Sequence, residues 1–292
     1  MTVSPAAELP AVRGAAPDAP APPPAASEPR PIKAVGAAHP WRWAGGAVAA
    51  GVLGLFGYDA AHSGSYRWDL YGKYIFDERI SRAALSSLEL TGIAAAVGLV
   101  LGVGLAVLRV GPNPVLKTLA GAYIWFFRAI PLFVQLLFWG LFPVIYGRLD
   151  IGVPFAVQIW HLDVHGRVSA FALAAIGLSL YSAAALAQAA RAGLLSLDRI
   201  QPESAAALGM TRAQSMRRVV LPQAARAMAP VVGQEIIALV QATSLVVAIP
   251  LTSDLLGRSG QIGRRIDAPV PLLLVAATWY LAISSILMIV QV

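Results

Sequence analysis

The chain has 292 residues, of which 58% are hydrophobic and only 13% are charged. A soluble domain would be about a quarter charged, and several stretches here are apolar over the roughly 20 residues that a helix needs to cross a bilayer. The composition therefore predicts an all-α integral membrane protein. The chain has no cysteine, which excludes disulfides and thiol catalysis. Its net charge of +7 reflects the enrichment of Lys and Arg in cytoplasmic loops, so no nucleic-acid partner is predicted.

The N-terminal part divides into two predicted regions. Residues 1–40 hold ten of the 21 prolines, and such a composition cannot bury enough apolar surface to fold. We therefore predict a disordered cytoplasmic tail there. Residues 41–84 are predicted to contain an extra N-terminal transmembrane helix, Trp43–Tyr58, followed by an external segment with an amphipathic interfacial helix.

Five further apolar stretches are long enough to span a membrane. They are Leu85–Leu108, Leu119–Tyr146, Val168–Ala190, Met228–Ile249 and Leu272–Val290. Gly98 and Gly102 have the small-xxx-small spacing that lets another helix approach closely. Pro131 predicts a kink or break in the second stretch. Residues 147–167 and 250–270 are predicted to be loops.

The segment Gln201–Pro222 is polar and basic, but its sequence is typical of ordered structure. Pro202 suits the first position of a helix, and Glu203 places a negative charge at the positive end of that helix. Gly209 predicts where the helix ends, because glycine readily adopts the left-handed conformation of a helix C-terminus.

A second short helix is predicted directly afterwards. Thr211 and Gln214 have the spacing of a capping box, and Pro222 is expected to end this helix because proline cannot continue it. The whole loop, residues 191–226, carries an excess of arginine and is therefore predicted to be cytoplasmic. Two capped helices in such a loop predict a docking surface for another protein.

Polar side chains inside the spans mark candidate positions on a transport path. These are Arg128, Gln135, Gln188, Glu235, Gln241, Thr243 and Ser244. An ionisable group at membrane depth indicates a pathway or a subunit contact by default. Glu235 fits a second interpretation equally well, as a carboxylate near a helix end that a neighbouring arginine satisfies.

Other chemistry is not supported by the sequence. No Walker A, nucleophile-elbow or HExxH pattern occurs. The segment Gly257–Gly263, GRSGQIG, lacks the preceding strand of a dinucleotide site. His161 and His165 flank Asp163, but they have neither a helical pattern around them nor a fourth ligand, so a metal site is not predicted.

The spacing in the polar loop resembles a family signature. Glu203, Ala205, Gly209, Val219 and the Leu221–Pro222 pair match the pattern EAA, three residues, G, nine residues, I-x-L-P. This is similar to the membrane-spanning permease subunits of binding-protein-dependent ABC importers. The segments RAIPLFVQ, from Arg128 to Gln135, and LPQAAR, from Leu221 to Arg226, resemble the polar amino acid permease subfamily. A further match is formed by Pro230, Glu235, Ile237, Thr243, Ser244 and Leu245.

The resemblance implies a five-helix type I permease core at residues 85–292, preceded by the extra helix, in the inner membrane. Its expected partners are ATP-binding cassette ATPase subunits, a second permease subunit, an extracytoplasmic solute-binding protein and the lipid bilayer. The chain is then not itself an enzyme and binds no cofactor, since ATP and Mg bind the ATPase. The residues expected to couple to that ATPase are Glu203, Ser204, Ala205, Gly209, Leu221 and Pro222. The seven polar residues of the spans would line the path of an amino acid.

One departure from the family pattern is mild: Ser204 replaces an alanine in the coupling loop. The other departures concern the substrate. Ala185 and Gln188 stand where the family has Tyr and Glu, and Gln241–Ala242 replaces Lys-Asp. A less charged or bulkier amino acid, or a related small metabolite, is therefore possible. Two other function classes remain as alternatives: a membrane anchor or signalling scaffold, and a membrane-embedded enzyme that uses Glu235 or the histidine pair.

Overall fold

The computed structural model of the protein describes residues 40–152, 158–163, 168–196 and 200–291, and these residues are nearly all helical. The helices are α1 (Pro40–His62), α2 (Trp68–Tyr74), α3 (Glu78–Val110), α4 (Pro114–Ala129), α5 (Leu132–Ile145), α6 (Ala170–Leu195), α7 (Ile200–Ala207), α8 (Arg212–Ser215), α9 (Leu221–Ala242), α10 (Leu255–Arg265) and α11 (Pro269–Gln291). A π turn, Met216–Val220, precedes α9, and a 3-10 helix, Thr243–Ala248, follows it. The predicted tail lies, apart from Pro40, outside the described residues.

Five helical stretches are long and apolar enough to cross a membrane. They are Trp43–His62, Glu78–Val110, Ala170–Leu195, Ala213–Ala248 and Pro269–Gln291. The helices α4 and α5 form a sixth span only as a pair, because they are bent by 98° at the break that contains Pro131. The all-α membrane fold and the break at Pro131 are therefore confirmed. The predicted stretch Leu119–Tyr146 thus consists of two helices, because proline disfavours the helical conformation at the residue before it and Ile130 is extended, with φ −91° and ψ 131°.

Two predicted loops contain regular structure. In residues 147–167, β1 (Arg148–Gly152) pairs antiparallel with β2 (Gln158–Asp163). Polar and apolar residues alternate in Arg148–Ile151 and again in Trp160–Asp163, which is the period of a strand. In residues 250–270, the glycines led to the prediction of a loop, but the structure forms the helix α10. Asp254 starts this helix by accepting a hydrogen bond from the Gly257 N–H at 2.9 Å, and N-terminal capping of this kind stabilises a helix.

The described part of the chain divides into two units between Leu55 and Phe56. In the first unit, the described side chains of α1 are exposed and apolar around the whole helix, Trp43 and Leu53 among them. In water such a helix would be unstable, whereas in lipid it is the expected form of a span. The extra N-terminal helix was therefore correctly predicted as an apolar helix.

In the second unit, α6 is the central helix and packs against α3, α4, α5 and α9. Its contact with α3 is close because Gly102 carries no side chain. A Cβ atom at this position would lie 2.9 Å from the Leu186 Cβ and 3.0 Å from the Ala183 carbonyl oxygen. The Ser182 hydroxyl donates a hydrogen bond of 3.0 Å to the Ala94 carbonyl across the same contact. The close approach predicted from the glycine spacing is confirmed.

The two larger apolar cores both include residues of α3. The first joins α3, α5, α6, α9 and the 3-10 helix through Leu90, Ala94, Leu132, Leu136, Ala174, Ala175, Leu178, Leu239, Val246 and Ile249. The second joins α2, α3, α10 and α11 through Tyr74, Ile80, Ala84, Leu255, Ile262, Leu272, Val275 and Ala276. The first core places the end of α9 against α3, and the second places the start of α10 against α3.

The α3–α6 contact predicts different outcomes for two neighbouring glycines. Gly102→Ala should destabilise the protein by about 1–3 kcal/mol, because backbone atoms of α6 must move to admit the methyl group. Gly104 meets no atom within 4 Å. Gly104→Ala should therefore be neutral or stabilising by up to about 1 kcal/mol, the helix-propensity difference. Thermal unfolding of the two variants in one detergent measures this contrast, and equal unfolding temperatures would contradict it.

Candidate functional site

The first candidate site is the two-helix element, residues 200–222. Its first helix, α7, begins at Ile200 and not at Pro202, so the predicted N-terminal position of Pro202 is wrong by two residues. The first four N–H groups of a helix have no partner within the helix, so a proline at the third position costs no hydrogen bond. Glu203 lies in the first turn and is exposed, where a negative charge is favoured.

The end of α7 is fixed by its backbone. Gly209 has φ +78°, the left-handed conformation that favours glycine. Its N–H donates to the Ala206 carbonyl at 2.9 Å, and the Met210 N–H donates to the Ala205 carbonyl at 3.1 Å. These two bonds are those of a Schellman motif, the commonest way to satisfy the last carbonyls of a helix. The predicted stop at Gly209 is confirmed.

The capping box of the second helix is also confirmed. The Gln214 side chain accepts from the Thr211 N–H at 2.9 Å, and the Thr211 hydroxyl accepts from the Gln214 N–H at 3.3 Å. The predicted stop at Pro222 is wrong, since the helical path continues into α9. The π turn directly before Pro222 widens the helix, and such a turn relieves the crowding that a proline ring causes in a regular α-helix.

The two-helix element packs against the start of α9. Ala205 is the buried residue of α7, with 3% of its surface exposed, and α7 contacts the π turn. The Gln223 side chain donates a hydrogen bond of 3.3 Å to the Gln201 side chain. The exposed side chains of α7 and its C-terminal end include Glu203, Ser204 and Leu208, and Leu208 is 80% exposed. An apolar side chain at that exposure on a fixed helix suits contact with a partner protein.

The second candidate site lies in the membrane-spanning part. A cavity of about 300 Å³, the Glu235 cavity, is lined by Glu235, Gln241, Ser244, Leu132 and Tyr181, with Ala238, Leu239, Ala242 and Leu245. It therefore brings together three of the seven polar residues that the sequence singled out. The Ser244 hydroxyl donates to the Gln241 carbonyl at 2.7 Å, where α9 changes to a 3-10 helix.

Two other predicted path residues are buried in structural roles. Gln135 is 5% exposed, and its Nε2 donates to the Phe127 carbonyl at 2.9 Å and to the Ile130 carbonyl at 2.8 Å. It thereby bridges the α4–α5 break. Thr243 is fully buried, and its hydroxyl donates to the Val240 carbonyl at 2.7 Å. Neither side chain lines the Glu235 cavity.

The remaining two predicted residues, Arg128 and Gln188, line a separate cavity of about 640 Å³ together with Arg109 and Arg191. Among the described side chains, no ion pair within 4 Å joins Arg128 to Glu235. The second cavity is called the arginine cavity below.

The sequence interpretation missed three of these lining residues. Tyr181 precedes Gln188 by seven residues, or two helical turns, so their shared face of α6 could have been recognised. Arg109 and Arg191 were assigned only to basic loops. Their approach to Arg128 depends on how α3, α4 and α6 pack.

No metal centre is found in the described part of the chain, where no three His, Cys, Asp or Glu residues come together. His161 belongs to β2. Its predicted companion His165 lies outside the described residues.

Comparison with known proteins gives a consistent set of relatives. Residues 98–292 match the family described as binding-protein-dependent transport system inner membrane component. The arginine transport system permease protein ArgU of Corynebacterium glutamicum is 44% identical over 266 residues, which cover 91% of this chain and 82% of that protein. The glutamate/aspartate import permease protein GltK of Escherichia coli O157:H7 is 34% identical over 198 residues, covering 68% of this chain and 84% of that protein.

Two solved structures have the same fold. The crystal structure of an amino acid ABC transporter with histidines matches with a TM-score of 0.59 and 27% identity, covering 73% of this chain and 91% of that chain. A chain of the MetNI methionine ABC transporter in an inward facing conformation matches with a TM-score of 0.56 and 22% identity, covering 73% of this chain and 93% of that chain.

The Schellman motif predicts how the two-helix element responds to a change at Gly209. Gly209→Ala should destabilise the end of α7 by about 1 kcal/mol, because a Cβ is unfavourable at positive φ. Hydrogen exchange of the Gly209 and Met210 amides should then become faster, while exchange in α6 stays unchanged. Gly209→Asn is the matched control, since asparagine tolerates this conformation better. Equal exchange rates in the alanine variant and the wild type would contradict the assignment.

Proposed function

The chain belongs to the family of binding-protein-dependent transport system inner membrane components, and on this premise we propose that it carries an α-amino acid across the cytoplasmic membrane, driven by ATP hydrolysis in a separate subunit. The observation that carries the proposal is the continuity of the two-helix element with α9, which lines the Glu235 cavity. One helical path thus joins an exposed docking face to a polar cavity between the spans. Family membership and this geometry favour transport over the anchor and enzyme alternatives.

The proposed assembly contains ATP-binding cassette ATPase subunits, a second permease that is identical or paralogous, and an extracytoplasmic solute-binding protein. ATP and Mg bind the ATPase in this arrangement, and the chain itself performs no catalysis. The described chain is a multi-pass membrane protein. We place it in the inner membrane, with the N-terminal tail and the loop 191–226 in the cytoplasm, because the Arg-rich loops favour that orientation.

The coupling role falls to the exposed face of α7. Glu203 and Ser204 lie on that face, whereas Ala205 is buried against the π turn. Gly209 keeps the end of α7 rigid, so a force applied to the exposed face reaches the π turn instead of bending the loop. Leu221 and Pro222 then begin α9, and these positions transmit the displacement into the span.

The substrate class follows from the Glu235 cavity and from what the relatives have in common. Their names give arginine, glutamate or aspartate, nopaline, L-cystine and glutamine. These compounds differ in their side chains, but all carry an amino-acid backbone. Glu235 is the acidic residue that lines the cavity, and a carboxylate is suited to bind an ammonium group. Gln241 and Ser244 beside it offer neutral hydrogen-bonding groups. Arginine is the first substrate to test, because ArgU has the highest identity of the relatives named above.

The coupling proposal predicts a separation of transport from ATP hydrolysis. Glu203→Lys and Gly209→Asp should leave membrane insertion intact, whereas transport should fall relative to ATP hydrolysis. The reason is that one change reverses the charge of the docking face and the other destabilises the end of α7. Ser204→Ala is the control, because it introduces the residue of the family pattern and should preserve transport. Uptake and ATPase activity are measured together in proteoliposomes with the complete assembly. Normal transport kinetics in the Gly209→Asp variant would refute the assignment.

The substrate proposal predicts a specific effect at Glu235. Glu235→Gln should lower amino-acid uptake about tenfold or more, the equivalent of one charge-assisted hydrogen bond. The loss should be similar for arginine, glutamate and glutamine, since the ammonium group is common to all three. The control is Glu89→Gln, which removes an exposed carboxylate from α3 outside the cavity. If uptake of only one of the three amino acids fell, Glu235 would be recognising the side chain and not the backbone.

A further inference from the structure

The arginine cavity is lined by positively charged side chains, and amino-acid transport through the Glu235 cavity does not require this charge. It has a volume of about 640 Å³ and lies between α3, α4 and α6. Arg109, Arg128 and Arg191 line it, one from each helix, and its lining includes no acidic residue. Three like charges around one cavity repel one another, so the cavity is suited to an anion.

The neighbouring groups leave most of this charge uncompensated. Ion pairs within 4 Å among the described residues join Asp77 to Arg79 and Glu78 to Arg82, far along the chain from the cavity. Arg109 donates a hydrogen bond of 3.1 Å to the Lys117 carbonyl, which orients its guanidinium but does not neutralise it. The guanidinium fork matches the oxygens of phosphate groups and binds them through paired hydrogen bonds.

The position of the cavity indicates which anion it meets. Arg109 lies one residue before the end of α3, and Arg191 lies in the last turns of α6, which ends at Leu195. These two arginines therefore lie at the end of the spans on the side of the two-helix element, where the phosphates of the bilayer lie, and Arg128 lines the cavity from the last turn of α4. Trp125, which also lines it, is 70% exposed, and the neighbouring Phe126 of α4 is 48% exposed. Tryptophan is enriched at this depth of the membrane, and such aromatic surface can contact an acyl chain.

We propose that Arg109, Arg128 and Arg191 bind the phosphate group of an anionic phospholipid in the leaflet on the side of the two-helix element. Basic pockets between transmembrane helices at this depth are known to hold anionic headgroups. The bound phosphate would connect α3, α4 and α6 at the side from which the two-helix element emerges. The shared chemistry is that of a phosphate oxyanion, so a free phosphate ion is the alternative source that the experiment must separate.

The test uses the full chain in a neutral detergent with added phosphatidylglycerol or phosphatidylcholine, and measures the unfolding temperature and lipid binding by native mass spectrometry. Phosphatidylglycerol should raise the unfolding temperature, and phosphatidylcholine should not. Arg109→Gln combined with Arg191→Gln should weaken phosphatidylglycerol binding by about tenfold or more, since each arginine supplies a charge-assisted hydrogen bond. Arg128 is left intact because the sequence also marks it as a candidate for the transport path.

The matched control is Arg217→Gln combined with Arg218→Gln, which removes two exposed arginines from the π turn outside the cavity. This variant should bind phosphatidylglycerol as the wild type does. Equal loss in the control would overturn the proposal, because binding would then reflect net charge alone. If the double glutamine variant does not fold, Arg109→Lys combined with Arg191→Lys replaces it and should still weaken binding, since lysine cannot make the paired contact.

A third arm distinguishes the source of the phosphate. Inorganic phosphate is added without lipid, at constant ionic strength against chloride. It should stabilise the protein far less than phosphatidylglycerol, since it makes no contact with Trp125. Equal stabilisation, lost in the same double variant, would assign the cavity to a free ion and overturn the lipid proposal. None of these measurements depends on transport, so failure here and failure of the proposed function are separate results.

Discussion

The close contact between α3 and α6 is the constraint on which the rest of the bundle depends. In a bilayer, apolar side chains gain little by leaving lipid for protein, so helices associate through close packing and hydrogen bonds. Gly102 permits the packing, and the Ser182 hydroxyl adds a hydrogen bond to the Ala94 carbonyl. With α6 fixed in this way, Tyr181 and Gln188 reach the two polar cavities. The functional surfaces are thus a consequence of the contact on the other face of α6.

The two ends of α9 are packed against different elements. At the 3-10 end, Thr243 and Val246 are fully buried, and the Thr243 hydroxyl lies 3.3 Å from that of Tyr280. At the other end, Val220 and Ala224 are buried, whereas Arg217 and Arg218 of the π turn are exposed. One helical path thus joins the two-helix element to the Glu235 cavity at the 3-10 end. Under the proposed function, a displacement of the two-helix element would reach that cavity through α9.

How much the sequence could predict depends on whether local or tertiary forces decide a feature. The stop at Gly209 and the Thr211–Gln214 capping box follow from backbone conformation and short-range hydrogen bonds, and both were predicted. The predicted helix end at Pro222 was wrong because a π turn, which has no recognisable sequence pattern, accommodates the proline ring. Gln135 was assigned to a path because glutamine is rare in apolar spans. Its burial against the carbonyls at the α4–α5 break depends on a 98° bend that no local rule supplies.

The sequence left Glu235 with two interpretations, a carboxylate satisfied by an arginine or a group that faces a path. In the structure the two groups line different cavities, Arg128 the arginine cavity and Glu235 the Glu235 cavity. Among the described side chains, no ion pair within 4 Å occupies the Glu235 oxygens. A direct pair would have to be broken before an ammonium group could bind, at the cost of leaving a buried charge alone. Because Arg128 and Glu235 line separate cavities, the Glu235 carboxyl group remains open to a ligand.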